Sequence, residues 1–152
     1  MWHSRILDMR FIFTLLIALF LASCSDNYEQ YYTDYLSFKK SSARQQGWFP
    51  EILGPDCFDF KEIHNLGNNN SYGTFAFVDE KRINSILADT KKYKQIKKLE
   101  VDSILNKIVS PKRPKWFIKD ISLNYFDFYI QDLNCIIKDG RNKRIYFLYT
   151  SL

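Results

Sequence analysis

The stretch FDFKEIHNLGNNNSYGTFAFV, Phe58 to Val78, decides the fold class. Phe58 and Phe60 alternate with Asp59 and Lys61, which is the period of a strand with one buried face. Ile63 and Leu66 break that period and predict a bulge. Asn68 to Gly73 (NNNSYG) reads as a turn, after which Phe75 and Phe77 fall on one side of a second strand, Thr74 to Val78. Two strands joined by a short polar loop predict an antiparallel hairpin.

Upstream of the hairpin, Gly47 to Asp56 (GWFPEILGPD) carries two prolines and two glycines and reads as a shaped connection. Before it, Asp26 followed by Glu29 resembles a capping box, and Tyr28, Tyr31, Tyr35 and Phe38 recur at helical spacing. An amphipathic helix is therefore expected from Asn27 to about Arg44, its rings packing on a sheet or facing a partner. Downstream, Asp79 caps an expected helix bearing Ile83, Ile86 and Leu87. A second helix, about Val101 to Val109, carries Ile104, Leu105 and Ile108 and stops at Pro111 and Pro114. The strand period then returns from Tyr125 to Gln131, Leu133 to Lys138 and Arg144 to Thr150, with Asp139-Gly140 as a hairpin signal. The order lacks βαβ alternation. It predicts an α+β fold: a mostly antiparallel sheet of about four or five strands, an N-terminal helix, and two helices inserted between the strand pairs.

Residues Gly47, Trp48, Phe49, Pro50, Glu51, Ile52 and Leu53, followed later by His64, Asn65 and Leu66, resemble a pattern in small uncharacterised bacterial lipoproteins, departing from it at Gly54, Gly67 and Asn68. That resemblance implies no activity. A second one lies at the N-terminus. Arg10 precedes the apolar run Phe11–Ala22, which is too short to span a bilayer and right for a secretory core. Leu21, Ala22, Ser23 and Cys24 then resemble the lipobox of bacterial lipoprotein precursors. The resemblance implies diacylglycerol on the Cys24 sulfur, cleavage before Cys24, and acylation of the freed amine. Met9 offers a cleaner start than Met1, whose extension reaches Asp8. The implied organisation is a signal peptide at 1–23, a lipidated N-terminus and amphipathic helix at 24–46, and a single α+β domain at 47–152. The implied location is extracytoplasmic, lipid-anchored in the cell membrane or outer membrane.

Composition sets further bounds. A formal charge of +5 over 152 residues is mild, and does not suggest a nucleic-acid partner. The 13 Phe, 10 Tyr and 3 Trp supply enough large apolar surface for a core without a metal, and no cofactor is expected. With Cys24 acylated, Cys57 and Cys135 remain as an even pair outside the cytoplasm. They form a disulfide, or they serve as two free core thiols.

Catalytic motifs are absent: the chain has no HExxH, GxSxG, CxxC or glycine-rich phosphate loop, and no metal-ligand set. His64 is the histidine of the body, and with Glu51 or Glu62 it is the candidate for a small envelope hydrolase. A dyad with Cys57 is disfavoured, because residues seven apart in a regular strand point to opposite faces. A candidate binding surface comprises Trp48, His64 and the lysines Lys91, Lys92, Lys94, Lys97 and Lys98. The basic run continues through Lys107, Lys112, Arg113, Lys115 and Lys119 against Glu100 and Asp102, and would attract an anionic polymer or an envelope protein, or else is the solvated side of packed segments. The sequence thus reads as a lipid-anchored, non-enzymatic binding module of the envelope. The alternatives are an immunity or inhibitor lipoprotein against a toxin, and the hydrolase.

Overall fold

The computed structural model describes residues 26–121 and 125–150, so the leader, the lipobox and Cys24 lie outside the described residues. The chain builds β1 (Asn27–Asp34), α1 (Tyr35–Lys40), β2 (Cys57–Asn65), β3 (Ser71–Phe77), α2 (Glu80–Leu87), β4 (Lys94–Gln95), α3 (Lys98–Lys107), β5 (Phe126–Gln131), β6 (Asn134–Asp139) and β7 (Arg144–Tyr149). Among the described residues the seven strands join one sheet in the order β1-β2-β3-β7-β6-β5-β4, and each neighbouring pair is antiparallel.

This corrects the expected α+β fold of four or five strands with an N-terminal helix. The architecture is dominated by the sheet, and the helix expected from Asn27 is an edge strand. Tyrosine and threonine suit a pleated surface, and β1 finds a partner for nearly its whole length, from Asn27 opposite Asn65 to Asp34 opposite Phe58. Pairing with a strand that lies far along the sequence overrides the local tyrosine period. Tyr28 and Tyr31 consequently point to opposite faces, both more than half exposed. Helix starts at Tyr35 instead, where the Asp34 side chain accepts from Ser37 N at 2.8 Å, and it ends after six residues. The helices between β3 and β5 are separated by β4, whose two residues are too few to leave a period. Asp79 caps α2 by accepting from Arg82 N at 3.0 Å.

The bulge also moves. It lies between Phe58 and Lys61, where the β2–β3 register shifts and Asp59 takes φ 50°, and not at Ile63. The shift leaves Phe58 exposed while Phe60, Glu62 and His64 share a face.

Each face of the sheet has its own core. On the face of Phe60 lie Phe75, Phe77, Ile136, Ile145 and Phe147, covered by Phe38 of α1, by Phe49, Ile52 and Leu53 of the α1–β2 connection, and by Ile83 and Leu87 of α2. Phe38 stacks on Phe60 with ring centroids 4.9 Å apart. Phe147 lies over Gly73 so closely that a Cβ there would come within 1.9 Å of its ring. The other face carries Ile63, Tyr72, Ile137 and Leu148 under Val101 of α3 and Phe117. Among the described residues no helix is long and apolar enough to cross a membrane.

Candidate functional site

Opposed residues in antiparallel strands point to the same face, so the register lays out a row across the sheet. Tyr28 stands opposite His64, His64 opposite Ser71, Ser71 opposite Tyr149, Tyr149 opposite Asn134, and Asn134 opposite Gln131. The row crosses the face that buries Phe60 and Phe147, yet it is polar.

At its β2 end sits a buried acid–imidazole pair. His64 Nδ1 lies 3.0 Å and 3.1 Å from the two Glu62 oxygens, and both side chains are within 2 % of full burial. Gln30 Nε2 donates to Glu62 Oε2 at 3.1 Å, and Tyr32 OH donates to Gln30 Oε1 at 2.5 Å. Burial pushes the Glu62 carboxyl up to about 8 and the His64 imidazole down, so it disfavours the charged form of each. Trp48 stacks on His64 at 3.9 Å and Tyr28 packs at 5.4 Å, closing the site from above. His64 Nε2 and Ser71 Oγ are buried without a hydrogen-bond partner.

Ser71, His64 and Glu62 follow the order of nucleophile, base and orienting acid. The geometry does not complete a relay. Ser71 Oγ makes no hydrogen bond to the imidazole, all three residues are at most 2 % exposed, and Trp48 covers the ring. Nothing in this cluster gives a substrate carbonyl a route to the hydroxyl.

The other end of the row opens into a cavity of about 790 Å³. Gln131 and Asn134 form its floor, with Gln131 Oε1 and Asn134 Oδ1 buried and unpartnered although Gln131 is only 4 % exposed. Its walls are Arg44, Phe49 and Glu51 from the α1–β2 connection, Ile86 of α2, and Lys92 and Tyr93 from the α2–β4 connection. Glu51 pairs with Lys92 at the mouth and also accepts from the Gln131 side chain. The lysine holds its carboxyl below the usual range. Arg44 Nη1 donates to Tyr35 OH at 2.9 Å. One pocket therefore offers cationic groups and a carboxylate, above two amide side chains whose oxygens are buried without a partner.

The structure brings together two of the sequence-derived candidates, Trp48 and His64, and places Lys92 with Glu51 on the cavity. Lys91, Lys94, Lys97 and Lys98 stand exposed elsewhere on the α2–α3 segment, and Lys98 pairs with Asp102 at 2.8 Å. Lys94 lies on β4, the outermost strand, where a lysine deters further pairing. Cys57 and Cys135 are free and buried in the cores of opposite faces. They sit on strands three places apart, roughly 14 Å, so the disulfide alternative gives way to two core thiols. Burial raises both, Cys135 to about 12. Cys57 opens β2 while His64 stands near its far end, so the thiol–imidazole dyad is not formed. Among the described residues no group of three His, Cys, Asp or Glu side chains could hold a metal.

Gln131, Asn134, Ser71 and Gln30 escaped the sequence reading. Their signal is a polar residue at an inward position of a strand, visible in the order Tyr129, Gln131 and then Asn134, but only the register shows that these positions line up.

A family model of the YbbD head domain, a bacterial family, matches residues 26–76. The chain is similar to that domain over β1, α1, β2 and β3, the part that carries Trp48, Glu62, His64 and Ser71. The cavity floor on β5 and β6 lies beyond the match. No curated protein and no solved structure matches the chain.

Proposed function

We propose that the protein is a lipid-anchored component of the bacterial envelope, tethered to its bilayer through an acylated Cys24, and that its domain is a non-enzymatic binding module. The ligand site is the cavity above Gln131 and Asn134. The observation that carries this reading is the polar lining of the cavity, where Arg44, Glu51 and Lys92 stand over Gln131 and Asn134, two inward amide side chains whose oxygens are buried without a partner. A buried acceptor without a donor costs about 1–3 kcal/mol, and a sheet selected for stability alone would fill such positions with apolar side chains. That lining defines the ligand: N–H or O–H donors for Glu51, and an anionic group for Arg44 and Lys92. Amino acids and short peptides combine both.

The tether rests on the run Arg10–Cys24 and its lipobox-like end. Two or three acyl chains hold a protein on a membrane durably where one does so only marginally. Intact-mass measurement of the membrane-extracted protein tests it: a mass beginning at a diacylglyceryl Cys24 supports the tether, and an unmodified residue 24 removes it. Titration calorimetry of the full-length protein in detergent, with amino acids and di- and tripeptides, tests the module. Saturable heat that weakens with Lys92→Ala supports it; absence of heat across the panel sinks this ligand class.

A further inference from the structure

The described chain enters at one end of the sheet, where three segments are pinned together. Leu66 N donates to Asp26 O at 2.8 Å, and Asn27 pairs with Asn65. The turn after α3 is tied to the same point: Asn65 Nδ2 donates to Ser110 Oγ at 3.1 Å and Asn68 Nδ2 to Ser110 O at 3.1 Å. The start of β1, the β2–β3 turn and the Ser110 turn thus form a single tip.

Two large apolar side chains project from this tip, Leu66 at 61 % exposure and Val109 at 84 %. Single exposed apolar residues need no explanation, but these two are flanked by a one-signed segment. Between Asp102 and Asp120 the chain holds no acidic residue, and Lys107, Lys112, Arg113 and Lys115 are all exposed. Asp26 is the acid at the tip itself. Cys24 lies two residues before Asp26, a reach of at most about 7 Å. An acyl chain on Cys24 must therefore bring this end of the sheet to the bilayer surface.

We propose that this tip is a membrane-docking surface: Leu66 and Val109 enter the headgroup layer while Lys107, Lys112, Arg113 and Lys115 bind anionic phospholipid headgroups. The proposal rests on the Cys24 tether. An acyl anchor joined to a basic patch is a two-signal attachment, and it gives the domain an orientation that the acyl chains alone would not. The far end of the sheet, with Phe58 and Val78, then faces away from the bilayer.

The test uses the full-length protein in vesicles of phosphatidylcholine alone or with a third phosphatidylglycerol, reading hydrogen exchange by peptide and the acyl mass of Cys24 in the same sample. Exchange across residues 65–70 and 108–115 is expected to slow on the order of tenfold on the anionic vesicles. High salt, or Lys112→Glu with Lys115→Glu, returns it to the zwitterionic rate, while the β2 start near Phe58 stays unchanged throughout. Val109→Asp reduces the protection without touching the core. With Cys24 acylated, equal exchange on both vesicle types overturns the docking surface and leaves the tether standing. An unmodified Cys24 overturns the tether, and with it the reason for this tip to meet the bilayer.

Discussion

Two rows of the same sheet face, one residue pair apart from a shared middle row, have opposite characters. The row of Phe60, Phe75 and Ile145 is dry, each side chain at 0 % exposure and packed among Phe38, Phe49 and Phe147. In the polar row, His64, Ser71, Asn134 and Gln131 are largely enclosed too, yet each of these four residues carries a polar atom without a partner. Burial alone therefore does not distinguish them; satisfaction does. In the dry row every contact supports folding. The polar row spends stability on groups that folding leaves unanswered, and a ligand is the natural answer where the row opens into the cavity.

The sharpest way to break the comparison is Phe60→Ala, which should cost about 3–5 kcal/mol in chemical denaturation, because its stacked neighbours cannot all close the space. A loss under about 1 kcal/mol would mean that the dry row is not the core. Gly73→Ala probes the middle row. With the Phe147 ring where a Cβ would go, an overpacking loss of about 1–3 kcal/mol is expected from the same measurement, and a neutral result would show that the ring moves freely.

Titration probes the polar row. The Glu62 carboxyl, raised to about 8 in the folded chain from an ordinary 4.5, keeps a proton that the unfolded chain releases. Its stabilising effect is complete below about pH 4.5 and disappears as pH rises through about 8. His64, lowered below 6.5, acts in the opposite sense only under that pH. Between pH 6.5 and 8 the loss belongs to Glu62, with a limiting slope of about 1.4 kcal/mol per pH unit. Denaturation midpoints of the wild type should fall across this window and those of Glu62→Gln should stay level; parallel curves would place the carboxylate in water. The smallest effect is Ser71→Ala, which removes an unpartnered hydroxyl and should be neutral or stabilising by up to about 1 kcal/mol. A clear destabilisation would reveal a partner for that oxygen.

The two rows also differ in what the sequence discloses. Phe58 to Val78 announces its hairpin because aromatic alternation and an asparagine-rich turn are local signals, and Asp79 and Asp139-Gly140 mark a cap and a turn for the same reason. The N-terminal segment misleads, since Tyr28, Tyr31, Tyr35 and Phe38 fit a helix while Tyr28 and Tyr32 equally fit one face of a strand. Only the distant partner β2 decides between them. Trp48 was visible as a candidate, but its stacking on His64 depends on a connection folding back across the sheet. The cavity floor was not legible: Gln131 and Asn134 fall at the ends of expected strands, and their common row exists only once β5, β6 and β7 are in register.

Gln131→Leu tests the central claim most directly, because it removes a buried, unpartnered oxygen and the side chain that donates to Glu51 in the cavity wall, while filling much the same volume. The denaturation free energy and the peptide-binding heat of wild type and variant should be measured together. The account predicts that the unliganded variant is at least as stable as the wild type and has lost the binding heat. A variant that unfolds more easily and binds peptide as before would contradict it, and would make Gln131 a part of the fold's own support.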